Sequence, residues 1–137
     1  MVVCADIELI RGVDLALVRE GYRFEDQIRR CTISAIVACH TTMLAIPEFV
    51  RKQLDLSKVS DIEAELADGS SGAFEVVGSI KVRFQNRRTS VEALVIPDST
   101  KLLLGAIPME GLDVLIDPKR ERLIVNPESL DVARMRT

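Results

Sequence analysis

The segment AIVACHTTMLAIPEFV, residues 35–50, has the layout of an active-site turn: a strand running into a loop and then into a helix. The loop residues Ala38, Cys39 and His40 decide what it could do. Ala38 offers a methyl group where such a turn would carry a carboxylate. Cys39 and His40 set a thiol beside an imidazole, an activated nucleophile wherever the two groups meet. Neighbouring residues of an extended loop point to opposite sides, however, so a single chain pairs them poorly. The chain has three cysteines, Cys4, Cys31 and Cys39, and one histidine, with no CxxC spacing. That inventory excludes a zinc ribbon built from one chain and does not make a disulfide framework. Cys4 and Cys31 lie in strand-like apolar stretches and read as buried small hydrophobes.

The elements around this loop must come from a single core. A chain of 137 residues, 47% hydrophobic and 28% charged, is one globular domain. With aromatics at 4% and no Trp, the core is built from Val, Ile, Leu and Ala. A net charge of -3, with short basic pairs interspersed among acids, argues against nucleic acid as a partner. The opening MVVCADIELI lacks a basic leader, and no apolar run approaches the roughly 18 residues needed to span a bilayer. The expectation is a cytoplasmic protein with no membrane partner.

Val2 to Ile10 and Val13 to Val18 predict an opening pair of strands broken at Arg11-Gly12, and Thr32 to Val37 predicts a buried strand. One clear helix is expected over about 47–56, with Pro47 in its first turn and Glu48 complementing its dipole. Period-two runs on either side of Asp68-Gly69-Ser70 predict a hairpin. A second hairpin turns at Gln85-Asn86-Arg87. Leu102 to Leu104 is a short strand ended by Gly105, Ile107 to Leu112 one helical turn, and Val114 to Ile116 pairs with Leu123 to Val125. The fold class is mainly β, a small barrel or sandwich.

Four segments in this order, TTMLAIPEFVRKQLDL, ELADGSSGAFEVVG, LLLGAIPMEGLDV and VLIDPKRERLIVNPES, resemble the retropepsin-like aspartic proteases, in particular small bacterial and cyanobacterial members. The resemblance implies a retropepsin-like acid-protease β-barrel over residues 1–127, followed by a polar tail, 128–137. It also implies a homodimer, each chain lending one aspartate from an Asp-Thr/Ser-Gly loop to a pair that shares one proton. Those three positions fall on Ala38, Cys39 and His40, so the catalytic triplet is degenerate and the expected state is inactive. Asp68, Asp113 and Asp117 stand outside any apolar-Asp-Ser/Thr-Gly context and read as turns and caps. Thr41 and the hairpin tip Asp68, Gly69, Ser70 and Ser71 would line a cleft and flap for an extended peptide, and Leu103, Leu104 and Gly105 would be structural. No cofactor and no metal are called for. Two alternatives stay open: a peptidase using Cys39 and His40, or a metal or redox site where two copies bring both residues to one axis.

Overall fold

The computed structural model describes residues 2–38, 41–65, 69, 71–97 and 99–129. In chain order the elements are β1 (Cys4–Arg11), α1 (Gly12–Arg19), β2 (Arg30–Val37), β3 (Leu44–Pro47), α2 (Glu48–Leu54), β4 (Ser57–Glu65) and β5 (Ser71–Phe84). They continue as β6 (Arg87–Ile96), β7 (Leu102–Leu104), α3 (Ala106–Leu112), β8 (Val114–Asp117) and β9 (Arg122–Val125), with short 3-10 turns at Glu25–Gln27 and Pro127–Ser129.

Strand pairing follows β1-β2-β7-β3-β6-β5, and β5 returns to β1 through Glu8↔Arg83 to Arg11↔Ile80. Six strands therefore close into a barrel and leave few free edges. Alternation along CADIELIR shows why β1 sits there: Ile7 and Leu9 are fully buried, while Cys4 and Asp6 face solvent. Leu44, Ile46, Val77, Ile80, Val82 and Leu104 fill the same interior. β4 pairs with β5 alone, and all but one of its residues are exposed, so the β4–β5 hairpin stands out from the barrel. β8 and β9 form a separate two-stranded ladder. No helix among the described residues is long and apolar enough to cross a membrane.

Several local expectations need correction. Val13 to Val18 is helix α1, not a strand. Its Val and Leu content suits either state, and Asp14 decides between them. In a strand Asp14 would share a face with Ala16 and Val18; as helix, its fully buried carboxylate accepts from Arg11 Nη1 at 2.5 Å and from the backbone N–H of Arg29 at 2.8 Å. Thr32 to Val37 is half-buried rather than buried, because Thr32 and Ser34 point outward. The helix expected over 47–56 runs Glu48–Leu54: Pro47 ends β3 as the N-cap residue with ψ 160, and Asp55 stops the helix in the left-handed region at φ 49. The described residues hold three helices rather than one clear one, α3 being longer than the single turn expected. Cys4 is exposed, contrary to its reading as a buried hydrophobe.

Other expectations stand. Phe84↔Arg87 closes the second hairpin, and Val114↔Val125 through Asp117↔Arg122 pairs the last two strands. Asp117 accepts from the N–H groups of Lys119 and Arg120, and Asp113 ends α3 in the left-handed conformation while accepting from Asn126 Nδ2 at 3.0 Å and from the Ser129 hydroxyl. Both are turn and cap residues. The Ser129 contact also ties down the start of the polar tail; residues 130–137 lie outside those described.

Candidate active-site loop and cleft

β2 and β3 flank β7 on either side, β2 parallel to it through Ala35↔Leu102 to Val37↔Leu104 and β3 antiparallel through Ala45↔Leu103. The connection between β2 and β3 must therefore pass the end of β7, where its described residues Ala38, Thr41 and Thr42 are held by hydrogen bonds. Ala38 donates its N–H to Leu104 O at 2.9 Å, and its carbonyl accepts from the Thr41 N–H at 2.9 Å and the Thr41 hydroxyl at 2.8 Å. Carbonyls of Thr41 and Thr42 accept from the N–H groups of Ala106 and Ile107, which open α3, at 2.8 and 2.9 Å. Those are donors that a helix start leaves without intrahelical partners. Gly105 permits this approach, since a Cβ there would stand 2.3 Å from Met43 O and 2.8 Å from Thr42 O.

Ala38 is 4% exposed and brings only a methyl group to the loop. Cys39 and His40 lie outside the described residues, as do Asp68 and Ser70 at the hairpin tip. Gly69 in that tip has φ +87, the left-handed conformation a tight turn requires, and Ser71 opens β5 opposite Glu65. Leu104 is fully buried in the main core, whereas Leu103 faces a second, smaller apolar cluster.

That cluster runs across four strands. Leu103 stands beside Ala45, Ala45 beside Leu94, and Leu94 beside Val76 in register, with Met43, Ala64, Phe74 and Ile96 packed against them. It joins the residue that ends the 38–43 loop to the base of the β4–β5 hairpin. It is an apolar row shared by the end of the loop, the barrel strands and the β4–β5 hairpin.

Two titratable groups, one on β2 and one on α2, are shifted from their ordinary values. Glu48 accepts from Arg51 one helical turn on, and that hydrogen bond holds its carboxyl below the usual range. Burial and then the charge of Glu8 push the Cys31 thiol up, so it stays protonated. Among the described residues no group of three or more His, Cys, Asp or Glu could hold a metal.

The sequence did not single out Asp14, and Arg87, expected at the hairpin turn in a solvated basic pair, instead opens β6 and is buried. Burial raises the Asp14 carboxyl, but the Arg29 N–H and the Arg11 guanidinium outweigh it and hold the group below the usual carboxylate range. The signal was the Arg11-x-x-Asp14 spacing. Arg87 is 1% exposed, and its three guanidinium nitrogens find no hydrogen-bond partner among the described residues. Its parity with Thr89, Val91 and Ala93 along β6 was the clue that it points inward.

A closed six-stranded barrel, a strand threaded between the two arms of a short loop and a projecting hairpin define the retropepsin-like aspartic protease fold. Among solved structures the chain is similar to the retroviral protease-like domain of Ddi1 from Leishmania major, at 16% identity and a TM-score of 0.52 over 71% of this chain and 81% of that one. It also matches a retropepsin-like aspartic protease from Rickettsia conorii, at 12% identity and a TM-score of 0.41 over 77% of this chain and 78% of that one. A Legionella pneumophila protein described as of unknown function matches at 12% identity and 0.45 over 82% and 90%. No protein-family model and no curated protein matches the chain.

Proposed function

We propose that this chain is a peptide-binding protein on a retropepsin-like frame, without aspartic hydrolysis, whose cleft is completed by a second copy. The carrying observation is Ala38. It occupies the first position of the loop crossing β7, bonded to Leu104 and Thr41, where the resemblance calls for a proton-sharing aspartate. Aspartic hydrolysis needs one carboxylate to activate water and a second, protonated, to polarise the carbonyl. A symmetric pair of these chains brings neither at that position. The loss of each group removes roughly 10²–10⁴ in rate, and more where the two act as a unit.

The apolar row from Leu103 to Val76 and the hairpin above it support retention of an extended peptide by strand-like main-chain bonds, with the β4–β5 hairpin acting as a flap. A homodimer follows from the same frame, because one chain supplies a single loop of this kind. The test is to incubate the purified chain with reduced casein from pH 4 to pH 7 and follow intact masses. No cleavage is expected at any pH, and sedimentation is expected to give twice the chain mass. Cleavage that survives removal of trace proteases by a second, orthogonal purification would refute the reading.

A further inference from the structure

A second groove lies away from that cleft, along the edge of β2. It has a volume of about 470 Å³ and is lined by Cys31, Thr32, Ile33, Ser34 and Ile36 of β2, by Cys4 of β1, by Phe49 and Gln53 of α2, and by Thr100 and Lys101 ahead of β7. Side chains of both β2 faces line it, inward Cys31 and Ile33 as well as outward Thr32 and Ser34. Cys4 and Ile36 extend the lining over the outward face of the β1–β2 pair, whereas inward Cys31 and Ile33 reach the same groove only past the edge of β2.

The edge is open for a structural reason. β7 begins beside Ala35, so, among the described residues, 31–34 have β1 on one side and no strand on the other. Ser99 causes this: its hydroxyl accepts from the Lys101 N–H at 3.1 Å and donates to the Lys101 carbonyl at 2.9 Å, turning the chain away before β7 starts. The direction of the free backbone groups follows from two bonds to the β1 side, Arg11 N–H to Arg29 O and Val37 N–H to Val3 O, both at odd-numbered β2-side residues. In an antiparallel ladder the alternate residues face the other way. Thr32 N–H and C=O and the Ser34 N–H therefore point into the groove.

We propose that this groove binds the carboxyl-terminal segment of a partner protein as an added strand parallel to β2, its last residues beside Cys31–Ser34 and its terminal carboxylate between the Ser34 N–H and Lys101. The strand edge selects extended backbone, and its length accommodates about four residues at ~3.3 Å each. Charge sets the direction. An incoming strand occupies the line of β7 and ends where Lys101 stands; running parallel, it presents a carboxylate to that ammonium, and running antiparallel it presents an amino terminus. No described carboxylate lies within ion-pair distance of Lys101 to neutralise it. Half-exposed Phe49 and the apolar Ile33 select β-branched or apolar side chains at alternate positions.

The test is retention of a peptide library with randomised final six residues, synthesised both with free carboxyl termini and as carboxamides. The free-acid library is expected to yield peptides apolar at alternate positions, held at least tenfold more tightly than their amides. Lys101→Gln is expected to cost tenfold or more for the acid and little for the amide, with the far-ultraviolet spectrum unchanged. Hydrogen exchange read on the same complex should slow at the Thr32 and Ser34 amides. Failure to retain any peptide, equal retention of acid and amide, or binding without protection of those two amides would each overturn the proposal. So would self-association through this edge, seen as a dimer that Lys101→Glu dissolves. The peptide-retention and exchange outcomes do not bear on the Ala38 loop, so this site stands or falls apart from the cleft.

Discussion

Asp14→Asn should destabilise the barrel substantially, because Asp14 fastens α1 to the end of β1 and to the start of β2, the strand that leads to Ala38. The carboxylate is fully buried and accepts from Arg11 Nη1 at 2.5 Å and from the Arg29 N–H at 2.8 Å, while Arg29 Nη1 stands at 3.8 Å. Arg29 is 41% exposed and can turn to water, so its charge contributes little. The Arg11 side chain is only 15% exposed, so removing the negative charge strands a nearly buried guanidinium. Breaking a buried pair from one side costs about 3–5 kcal/mol. Arg11 Nε keeps the Asp55 carbonyl at 3.1 Å, and the Asn carbonyl can still accept one bond, which places the expected loss near the lower end, about 3 kcal/mol. With a urea slope of about 1–3 kcal/mol/M, the midpoint should fall by about 1–3 M at pH 7.

The same pair fixes a pH dependence. The folded pKa of Asp14 is lowered, so its contribution is fully present above the unfolded value of about 3.9 and is lost as pH falls through the folded one. The parent should therefore lose stability in acid more steeply than Asp14→Asn, and the two denaturation curves should converge. A variant within about 0.5 kcal/mol of the parent at neutral pH, or a gap independent of pH, would refute the buried-pair reasoning.

Gly105→Ala drives a Cβ against Met43 O and Thr42 O, and overpacking of this kind costs about 1–3 kcal/mol; amide exchange should quicken at Ala106 and Ile107, and an unchanged rate there would contradict the packing of the loop on α3. Thr41→Val removes the hydroxyl bond to the Ala38 carbonyl while the backbone bond remains, so about 1 kcal/mol should be lost in chemical denaturation. Arg87→Met keeps side-chain length and removes an unpartnered buried charge, so it should stabilise by about 1–4 kcal/mol, a gain read as a higher urea midpoint.

The elements around the loop were the most legible part of the sequence, because Gly, Pro and apolar periodicity act locally. Pro47-Glu48 announced α2, Asp68-Gly69 lay between two strands that do pair, and Leu102 to Gly105 ended where the chain must pass close under the loop. The α1 segment misled because Val and Leu are compatible with both periods, and the deciding contact, Asp14 to Arg29, spans 15 residues. Cys4 misled in a different way: it sits in a strand, but on the outward face, and apolar neighbours alone do not reveal parity. The apolar row from Leu103 to Val76 draws on four strands far apart in sequence and became visible only once their register was known. Arg87 ran against the rule that arginine is solvent-exposed, leaving its alternation with Thr89 and Val91 as the sole indication.

The most direct measurement is peptide hydrolysis by the triple variant Ala38→Asp, Cys39→Ser, His40→Gly beside the unaltered chain, both assayed on reduced casein near pH 5. A methyl-for-carboxylate exchange in an otherwise competent cleft predicts cleavage by the variant alone, abolished again when Ala is returned to position 38. Equal hydrolysis by both proteins would contradict the account, and so would a correctly folded, dimeric variant that cleaves nothing.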